Sequence, residues 1–139
     1  YGKIITSSVK SLNLNNACIL DPESGKTLIP EDKNSFDYFI FGGILGDNPP
    51  KKRTNPELTS KISNAESRNI GDKQMSTDNA VYVVHKILQG TPFSKIPFQD
   101  EIEIEINDIE STIFPYRYAL VNGKPLVSPE LIEYVKNSP

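Results

Sequence analysis

The chain has 139 residues, the usual length of one domain with a single hydrophobic core. Its 15 lysines and arginines are outnumbered by 18 aspartates and glutamates, so the net charge of -3 gives no global positive field that would attract nucleic acid. The single cysteine, Cys18, excludes an internal disulfide and multi-cysteine metal sites, and no apolar stretch approaches the roughly 20 residues of a membrane-spanning helix, so we expect a soluble cytoplasmic protein.

Two strands are predicted early in the chain. Residues 16–20 form an apolar run that ends in a turn-forming sequence, in which Pro22 and Gly25 each fix a local backbone angle. Residues 36–41 are aromatic and β-branched and are followed by a Gly-Gly pair. This pattern predicts a strand buried on both faces, as in a parallel sheet.

A loop and a brief strand are predicted next. Residues 48–64 are polar and contain several prolines, so we expect a loop in which residues 56–62 form a short helix that starts at proline. Residues 66–70 suggest a brief strand that a Gly-Asp pair ends.

An amphipathic helix should follow this strand. Ser76 or Thr77 can cap its amino terminus, and Gly90 can end it. Its apolar residues recur at the helical period, at Ala80, Val83, Val84, Ile87 and Leu88.

The last part of the chain predicts two strands and a helix. Residues 101–106 alternate strictly between glutamate and isoleucine, the pattern of a half-buried strand with its isoleucines inward. Residues 114–121 predict another strand, residues 122–123 an Asn-Gly turn, and residues 128–135 a helix with Pro129 at its first position. Strands that alternate with helices favour an α/β domain.

The glycines after the second predicted strand form the first candidate site. Gly42, Gly43 and Gly46 lie at the exit of a buried strand, where open α/β sheets bind their ligands. Without side chains they let backbone groups touch a flat ligand such as adenine. Their spacing matches neither the phosphate loop nor the dinucleotide fingerprint, which disfavours ATP and NAD. A plain tight turn explains the same glycines equally well.

Residues 68–78 form the second candidate site. They combine a strand end, a Gly-Asp turn and a capped helix amino terminus, which together present free amides and short polar side chains. An ordinary strand-to-helix connection with a good cap is the alternative, and it needs no ligand.

Four strings of the sequence resemble one known family. They are residues 39–50 (FIFGGILGDNPP), 53–54 (RT), 68–78 (RNIGDKQMSTD) and 115–118 (PYRY). Together they are similar to the SPOUT-class methyltransferase family that includes the fungal ribosomal-protein arginine methyltransferase, and the likeness extends over residues 18–135. The two glycine-bearing strings also resemble, more weakly, the cofactor loops of bacterial tRNA guanine methyltransferases of the same class.

The resemblance implies a fold and a cofactor. It implies an α/β fold with a mostly parallel sheet and a C-terminal trefoil knot. Such a knot is a rare exception to the rule that protein chains do not thread through their own loops. In the family it forms the site for S-adenosylmethionine. Residues 1–139 would then be a single cofactor-binding domain. Relatives carry a further N-terminal segment, and Met75 is the only methionine, so we expect this chain to be a fragment.

The same resemblance assigns the walls of the cofactor site. The first wall would be formed by Gly42, Gly43, Leu45 and Gly46. The second wall and the start of the following helix would contribute Arg68, Ile70, Gly71, Gln74, Met75 and Thr77. Met75 would pack on the adenine or on the sulfonium chain, whereas core packing is the commoner use of methionine.

Methyl transfer to an arginine would also need carboxylates. The reaction is an in-line displacement, so the enzyme mainly aligns the reacting groups. A charged guanidinium needs carboxylates to hold it and, late in the reaction, to accept a proton. Among the nearby acids Asp47, Asp72 and Asp78, we assign Asp47 to orienting the guanidinium and Asp78 to assisting it. Each of these aspartates could instead cap a turn or a helix.

Charge leaves the substrate open between a basic protein and RNA. The strand at residues 101–106 places three glutamates on one face, which suits a basic, ribosomal protein better than RNA, although a solvated edge strand shows the same face. Residues 51–53 are basic and could touch phosphate, or be ordinary exposed charge. Protein arginine methylation is the leading prediction. RNA methylation and a non-catalytic cofactor- or partner-binding module are the alternatives, and a monomer is favoured over a dimer.

The remaining distinctive side chains have structural interpretations. His85 has no second histidine with which to build a metal site, so we expect it to be structural or exposed. Cys18 should lie in the core. Tyr116 and Tyr118 should pack in the core on the strand face opposite Arg117, with a place at the border of a substrate pocket as the alternative.

Overall fold

The computed structural model describes residues 2–42, 62 and 64–137. These residues form two three-stranded sheets, and one α-helix packs against each sheet. In chain order the strands and α-helices are β1 (Ala17–Leu20), β2 (Tyr38–Phe41), β3 (Ala65–Arg68), α1 (Thr77–Leu88), β4 (Phe98–Glu105), β5 (Ser111–Val121), β6 (Lys124–Pro125) and α2 (Pro129–Asn137). Short 3-10 helices cover Val9–Leu12, Pro30–Asn34 and Phe93–Lys95.

The strand β1 is the middle of the parallel sheet, with β2 on one side and β3 on the other. Cys18 and Leu20 point into the cluster that includes α1, whereas Ala17 and Ile19 point into a second cluster on the opposite face. All three predicted strands of this sheet are confirmed. The prediction that the second strand is buried on both faces is wrong, because β2 is an edge strand of the described sheet and Tyr38 is 48% exposed.

The helix α1 begins and ends where the sequence predicted. Gly90 adopts a φ of 108°, the left-handed conformation that ends many helices. The amide of Gly90 donates to the carbonyl of Ile87 at 2.9 Å, and the amide of Thr91 donates to that of Lys86 at 3.0 Å. The predicted core face is confirmed, since the side chains packed against the sheet are Ala80, Val83, Val84, Ile87 and Leu88.

The strands β4 and β5 form an antiparallel hairpin. Ile102 and Ile104 are buried while Glu103 and Glu105 are exposed, which confirms the predicted alternation. The helix α2 covers the isoleucine face of this hairpin. The glutamates lie on the opposite face of the hairpin and are exposed to solvent.

A β-bulge interrupts the hairpin. The pairing register shifts by one residue between Asp100 and Ile102. Pro115 lies on β5 opposite this shift, where its missing N–H costs no ladder hydrogen bond, and Glu101 takes up a φ of 56° on the other strand.

The predicted Asn-Gly turn and final helix are both confirmed. Asn122 and Gly123 have φ values of 52° and 76°, as the two-residue hairpin turn between β5 and β6 requires. The helix α2 starts at Pro129, and the hydroxyl of Ser128 accepts the amide of Leu131 at 3.3 Å.

The described residues confirm the coarser part of the predicted fold, a mixed α/β arrangement that contains a parallel sheet. Only β1, β2 and β3 are parallel, and β4, β5 and β6 form a separate antiparallel sheet. Residues 106–110 join β4 to β5 and are far too few for the crossover that parallel strands require.

The loop predicted over residues 48–64 and its short helix lie outside the described residues, apart from positions 62 and 64. In the part of the chain that is described, neither α-helix is long and apolar enough to cross a membrane.

Candidate functional site

The carboxyl ends of the three parallel strands meet at one edge of the sheet. Leu20 of β1 pairs with Phe41 on one side and with Arg68 on the other, so β2 and β3 end at the same level. Because neighbouring strands are about 4.8 Å apart, these two outer strand ends lie roughly 10 Å from each other. Gly42, directly after β2, and Asn69, directly after β3, therefore flank the end of β1, the place where open α/β sheets bind ligands.

The first predicted wall begins at Gly42, which is half-buried directly after β2. Gly43, Leu45, Gly46 and Asp47 lie outside the described residues. Their assignment to the cofactor wall and to catalysis stays a prediction.

The side chain of Asn69 fixes the path of the chain where it leaves β3. The side-chain nitrogen of Asn69 donates to the carbonyl of Ser24 at 2.8 Å. Its side-chain oxygen accepts from the amide of Gly71 at 3.1 Å and from the hydroxyl of Thr27 at 3.2 Å. This is the local turn that asparagine favours, here tied to a distant part of the chain. The path of the backbone into Gly71 is thereby determined.

Gly71 is required by two features of its surroundings. Its φ of 90° is a left-handed conformation that costs side-chain-bearing residues energy. A Cβ atom there would also lie 2.8 Å from Cζ of Phe93 and 3.7 Å from Nη1 of Arg117. The predicted wall residue thus has a packing role, because its backbone lies close to the Phe93 ring.

Arg117 of β5 supports the same segment from the other sheet. Its backbone amide donates to the carbonyl of Gln74 at 2.8 Å. Its guanidinium donates to Asp100 from Nε at 2.6 Å and from Nη2 at 3.1 Å, and lies 5.3 Å from the centre of the Phe98 ring. These hydrogen bonds hold the pKa of the Asp100 carboxyl below its usual range. The ion pair of Arg117 and Asp100 lies next to residues 71–74.

The guanidinium of Arg68 makes hydrogen bonds and a ring contact within the protein. Its Nε donates to both carboxylate oxygens of Asp32 at 3.2 and 3.1 Å, and Nη2 donates at 3.1 Å. Its Nη1 donates to Glu66 at 3.0 Å, and the guanidinium lies 4.8 Å from the centre of the Phe36 ring. The contact predicted between Arg68 and a cofactor stays a prediction, but this guanidinium fastens β3 to the 3-10 helix Pro30–Asn34.

The other predicted wall residues divide into buried and accessible side chains. Ile70 and Met75 lie in the core cluster shared by β1 and α1. Gln74 is half-buried, and Thr77 is exposed at the first position of α1. Ile70 and Met75 therefore anchor the segment, whereas Gln74 and Thr77 are available to a ligand. The predicted contact between Met75 and adenine stays a prediction.

Asp78, the predicted assisting carboxylate, is exposed in the first turn of α1. A negative charge there interacts favourably with the helix dipole. Burial raises the pKa of the Tyr118 hydroxyl to about 12, with smaller contributions from Tyr116 and from the charge of Asp78. Both tyrosine rings pack in the hairpin core, as predicted.

Sequence analysis did not single out Asn79, whose side chain is fully buried at the start of α1. The available signal was its spacing, because Asn79, Val83 and Ile87 recur every four residues along the apolar face. Ser76 occupies the predicted cap position without capping, since its hydroxyl accepts a hydrogen bond from Asn79 at 3.0 Å and makes no cap bond to the helix backbone.

The structural interpretations of two further side chains are confirmed. His85 is exposed and Cys18 is buried, as predicted, and burial raises the pKa of the Cys18 thiol to about 12. No group of His, Cys, Asp and Glu side chains among the described residues could hold a metal ion. An open acidic depression at the β4–β5 turn is lined by Glu103, Glu105, Asp108 and Glu110, with Lys136 beside them.

Solved structures of a yeast arginine methyltransferase share this fold. The SFM1 complex with SAM is 38% identical, with a TM-score of 0.84 over 94% of this chain and 64% of that chain. The SAH complex is 41% identical, with a TM-score of 0.80 over 87% of this chain and 58% of that chain. The MTA complex is 36% identical, with a TM-score of 0.80 over 94% of this chain and 70% of that chain.

Sequence comparison leads to the same relatives. The protein arginine N-methyltransferase SFM1 of Saccharomyces cerevisiae (strain ATCC 204508 / S288c) is 40% identical over 96% of this chain, which spans 65% of the yeast protein's length. The family described as SFM1-like protein arginine N-methyltransferase matches residues 3–139. The chain belongs to this family.

Proposed function

We propose that the chain is the cofactor-binding part of a protein arginine N-methyltransferase that uses S-adenosylmethionine. The observation that carries the proposal is the likeness to the SAM complex of yeast SFM1, at 38% identity over 94% of this chain. The described sheet agrees with it, because Gly42 and residues 69–77 leave the same edge on either side of β1.

We further propose that residues 1–139 form a single SPOUT-type domain with a C-terminal trefoil knot. Two observations support it. The motifs at residues 39–50 and 68–78 resemble that class, and β2 and β3, which follow each other in the chain, lie on opposite sides of β1.

The residues present fit such a cofactor. One side of the site would be Gly42, Gly43, Leu45 and Gly46. The other side would be Ile70, Gly71, Gln74, Met75 and Thr77, with Arg68 bracing the strand beneath them. Backbone groups would provide most of the contacts, which suits a neutral adenine ring, while exposed Thr77 and half-buried Gln74 offer side-chain hydrogen bonds.

The chain's own residues would align the substrate arginine and remove its proton. When bound, S-adenosylmethionine supplies an electrophilic methyl group on a sulfonium. Asp47 would accept hydrogen bonds from the guanidinium and hold one nitrogen in line with that methyl. The nitrogen forms the new bond to carbon, the carbon–sulfur bond breaks, and its electron pair stays on sulfur. Asp78 would assist by accepting the proton that the methylated nitrogen releases.

We propose a basic, ribosomal protein as the substrate, with a monomeric enzyme working in the cytoplasm. The net charge of -3 and the exposed glutamates of β4 favour a cationic protein over RNA, whose phosphates they would repel. The arginine-methyltransferase family to which the chain belongs supports the same choice.

Labelled methyl transfer tests this proposal. The chain is incubated with methyl-labelled S-adenosylmethionine and either ribosomal proteins or ribosomal RNA. We expect label in arginine of a ribosomal protein, with loss of at least about a hundredfold in rate for Asp47→Ala, because the guanidinium loses its orienting carboxylate. Asp108→Ala removes the same charge at the exposed hairpin turn and should leave the rate unchanged. Label in RNA alone, or full activity of Asp47→Ala, would contradict the assignment.

A further inference from the structure

The buried side chain of Asn79 joins the start of α1 to two backbone groups that are 40 and 47 residues away in the sequence. Its amide nitrogen donates to the hydroxyl of Ser76 at 3.0 Å and to the carbonyl of Leu126 at 2.8 Å. Its oxygen accepts from the backbone amide of Ala119 at 2.9 Å. Both amide hydrogens and the oxygen are therefore used, and Asn79 itself has no exposed surface.

The chemistry of its partners fixes the orientation of this amide. The carbonyl of Leu126 can only accept and the amide of Ala119 can only donate, so one orientation alone satisfies both. Asparagine is the residue of this size that can supply a donor and an acceptor together. Leucine or alanine at position 79 would leave these two backbone groups without their partner, and Ala119 is fully buried.

These hydrogen bonds act on the segment that carries the candidate cofactor residues. Ser76 lies between Met75 and Thr77, and its hydroxyl is directed to Asn79 instead of to the amides of the first helical turn. Ala119 is on β5, two residues after Arg117, whose amide holds the carbonyl of Gln74. Hydrogen bonds to β5 thus fix the positions of both the start of α1 and residues 71–75.

We propose that Asn79 is a positioning residue for the methyl-donor site. Asn79 does not touch the cofactor. Its hydrogen bonds fix the positions of Gln74, Met75 and Thr77 relative to β5 and to Leu126. The inference rests on the proposed function, because it needs residues 70–77 to bind S-adenosylmethionine. Without Asn79 the first turn of α1 would rotate or slide on the sheet, and contacts made by Thr77 and by the preceding backbone would be misplaced.

The matched control is Val83→Ala. Val83 lies one turn further along the same face of α1 and is fully buried; it shares the core cluster with Ile70 and Met75 but is not itself one of the predicted cofactor residues. This variant weakens the packing of α1 without touching the hydrogen bonds at its start. Ser76→Ala is a milder second variant, which removes one of the three bonds and keeps the two long-range ones.

Calorimetric titration with S-adenosylhomocysteine measures the effect at a temperature where circular dichroism shows each variant folded. We expect Asn79→Ala to weaken binding by roughly tenfold to a hundredfold, Ser76→Ala by a smaller factor, and Val83→Ala by less than about twofold. The Ser76→Ala result carries the test where Asn79→Ala does not fold. Equal affinities in the folded Asn79→Ala, Ser76→Ala and Val83→Ala variants would overturn the positioning role alone. Failure of the unsubstituted chain to bind would overturn the proposed function together with it.

Discussion

The substitution Asp32→Ala tests whether Arg68 is a structural residue. Asp32 accepts three side-chain hydrogen bonds from Arg68 at 3.1 to 3.2 Å and one from the amide of Ile29 at 3.0 Å. The side chains of Arg68 and Asp32 are only 11% and 7% exposed. The substitution therefore leaves a mostly buried guanidinium without its main partner.

The expected loss is about 3 kcal/mol in the free energy of unfolding. Removing one partner of a buried ion pair costs about 3–5 kcal/mol. The lower end applies because Glu66, at 60% exposed, still binds Nη1 of Arg68 at 3.0 Å. For a chain of this size the melting temperature should fall by about 10 °C.

Urea denaturation followed by circular dichroism measures this loss. The double variant Asp32→Ala, Arg68→Met should be more stable than Asp32→Ala alone, because it removes the unpaired charge as well. Asp108→Ala, an exposed carboxylate at the β4–β5 turn, should change stability by less than about 0.5 kcal/mol. A loss below about 1 kcal/mol for Asp32→Ala would refute the structural role and return Arg68 to the predicted cofactor wall.

Three further predictions follow from the described contacts. Gly71→Ala should destabilise the chain by about 2–3 kcal/mol, because its φ is left-handed and Phe93 stands 2.8 Å from the new Cβ; an unchanged urea midpoint would contradict this. The thiol of Cys18, with its pKa raised by burial to about 12, should resist a thiol reagent at pH 8 until urea is added, and rapid labelling of the folded chain would be inconsistent with its position. The lowered pKa of Asp100 beside Arg117 contributes stability that is present above the carboxyl's unfolded pKa and lost as pH falls through the folded one. Asp100→Asn should therefore flatten the acid limb of a stability profile below about pH 4, and an unaltered limb would count against the pair.

Local patterns in the sequence were sufficient for most of the secondary structure. The apolar period of α1, its stop at Gly90 and the Asn-Gly turn are each decided by a few neighbouring residues. The alternating isoleucines of β4 identified its buried face for the same reason.

The contacts that build the candidate site could not be predicted in this way. Arg68 and Asp32 are 36 residues apart, and their pairing depends on how β3 lies against the Pro30–Asn34 helix. The pair of Arg117 and Asp100 depends on a strand register that a bulge shifts by one residue. The distant hydrogen-bond partners of Asn79 are 40 and 47 residues away in the sequence. Its spacing on the apolar face of α1 could therefore predict that it is buried, but not which groups it binds.

Much of the site assignment came from resemblance to a family. Composition and spacing left Gly42 equally consistent with a plain turn, and for Gly71 they favoured an ordinary strand-to-helix connection. The structure adds that the segments bearing them leave one sheet edge, and that Gly71 is required by its backbone and by Phe93.

A crystal structure of the chain with S-adenosylhomocysteine tests the central claim most directly. The account predicts the adenosine between the segment that begins at Gly42 and residues 70–77, held mainly by backbone groups. A ligand bound elsewhere, or touching only one of these two segments, would contradict the account.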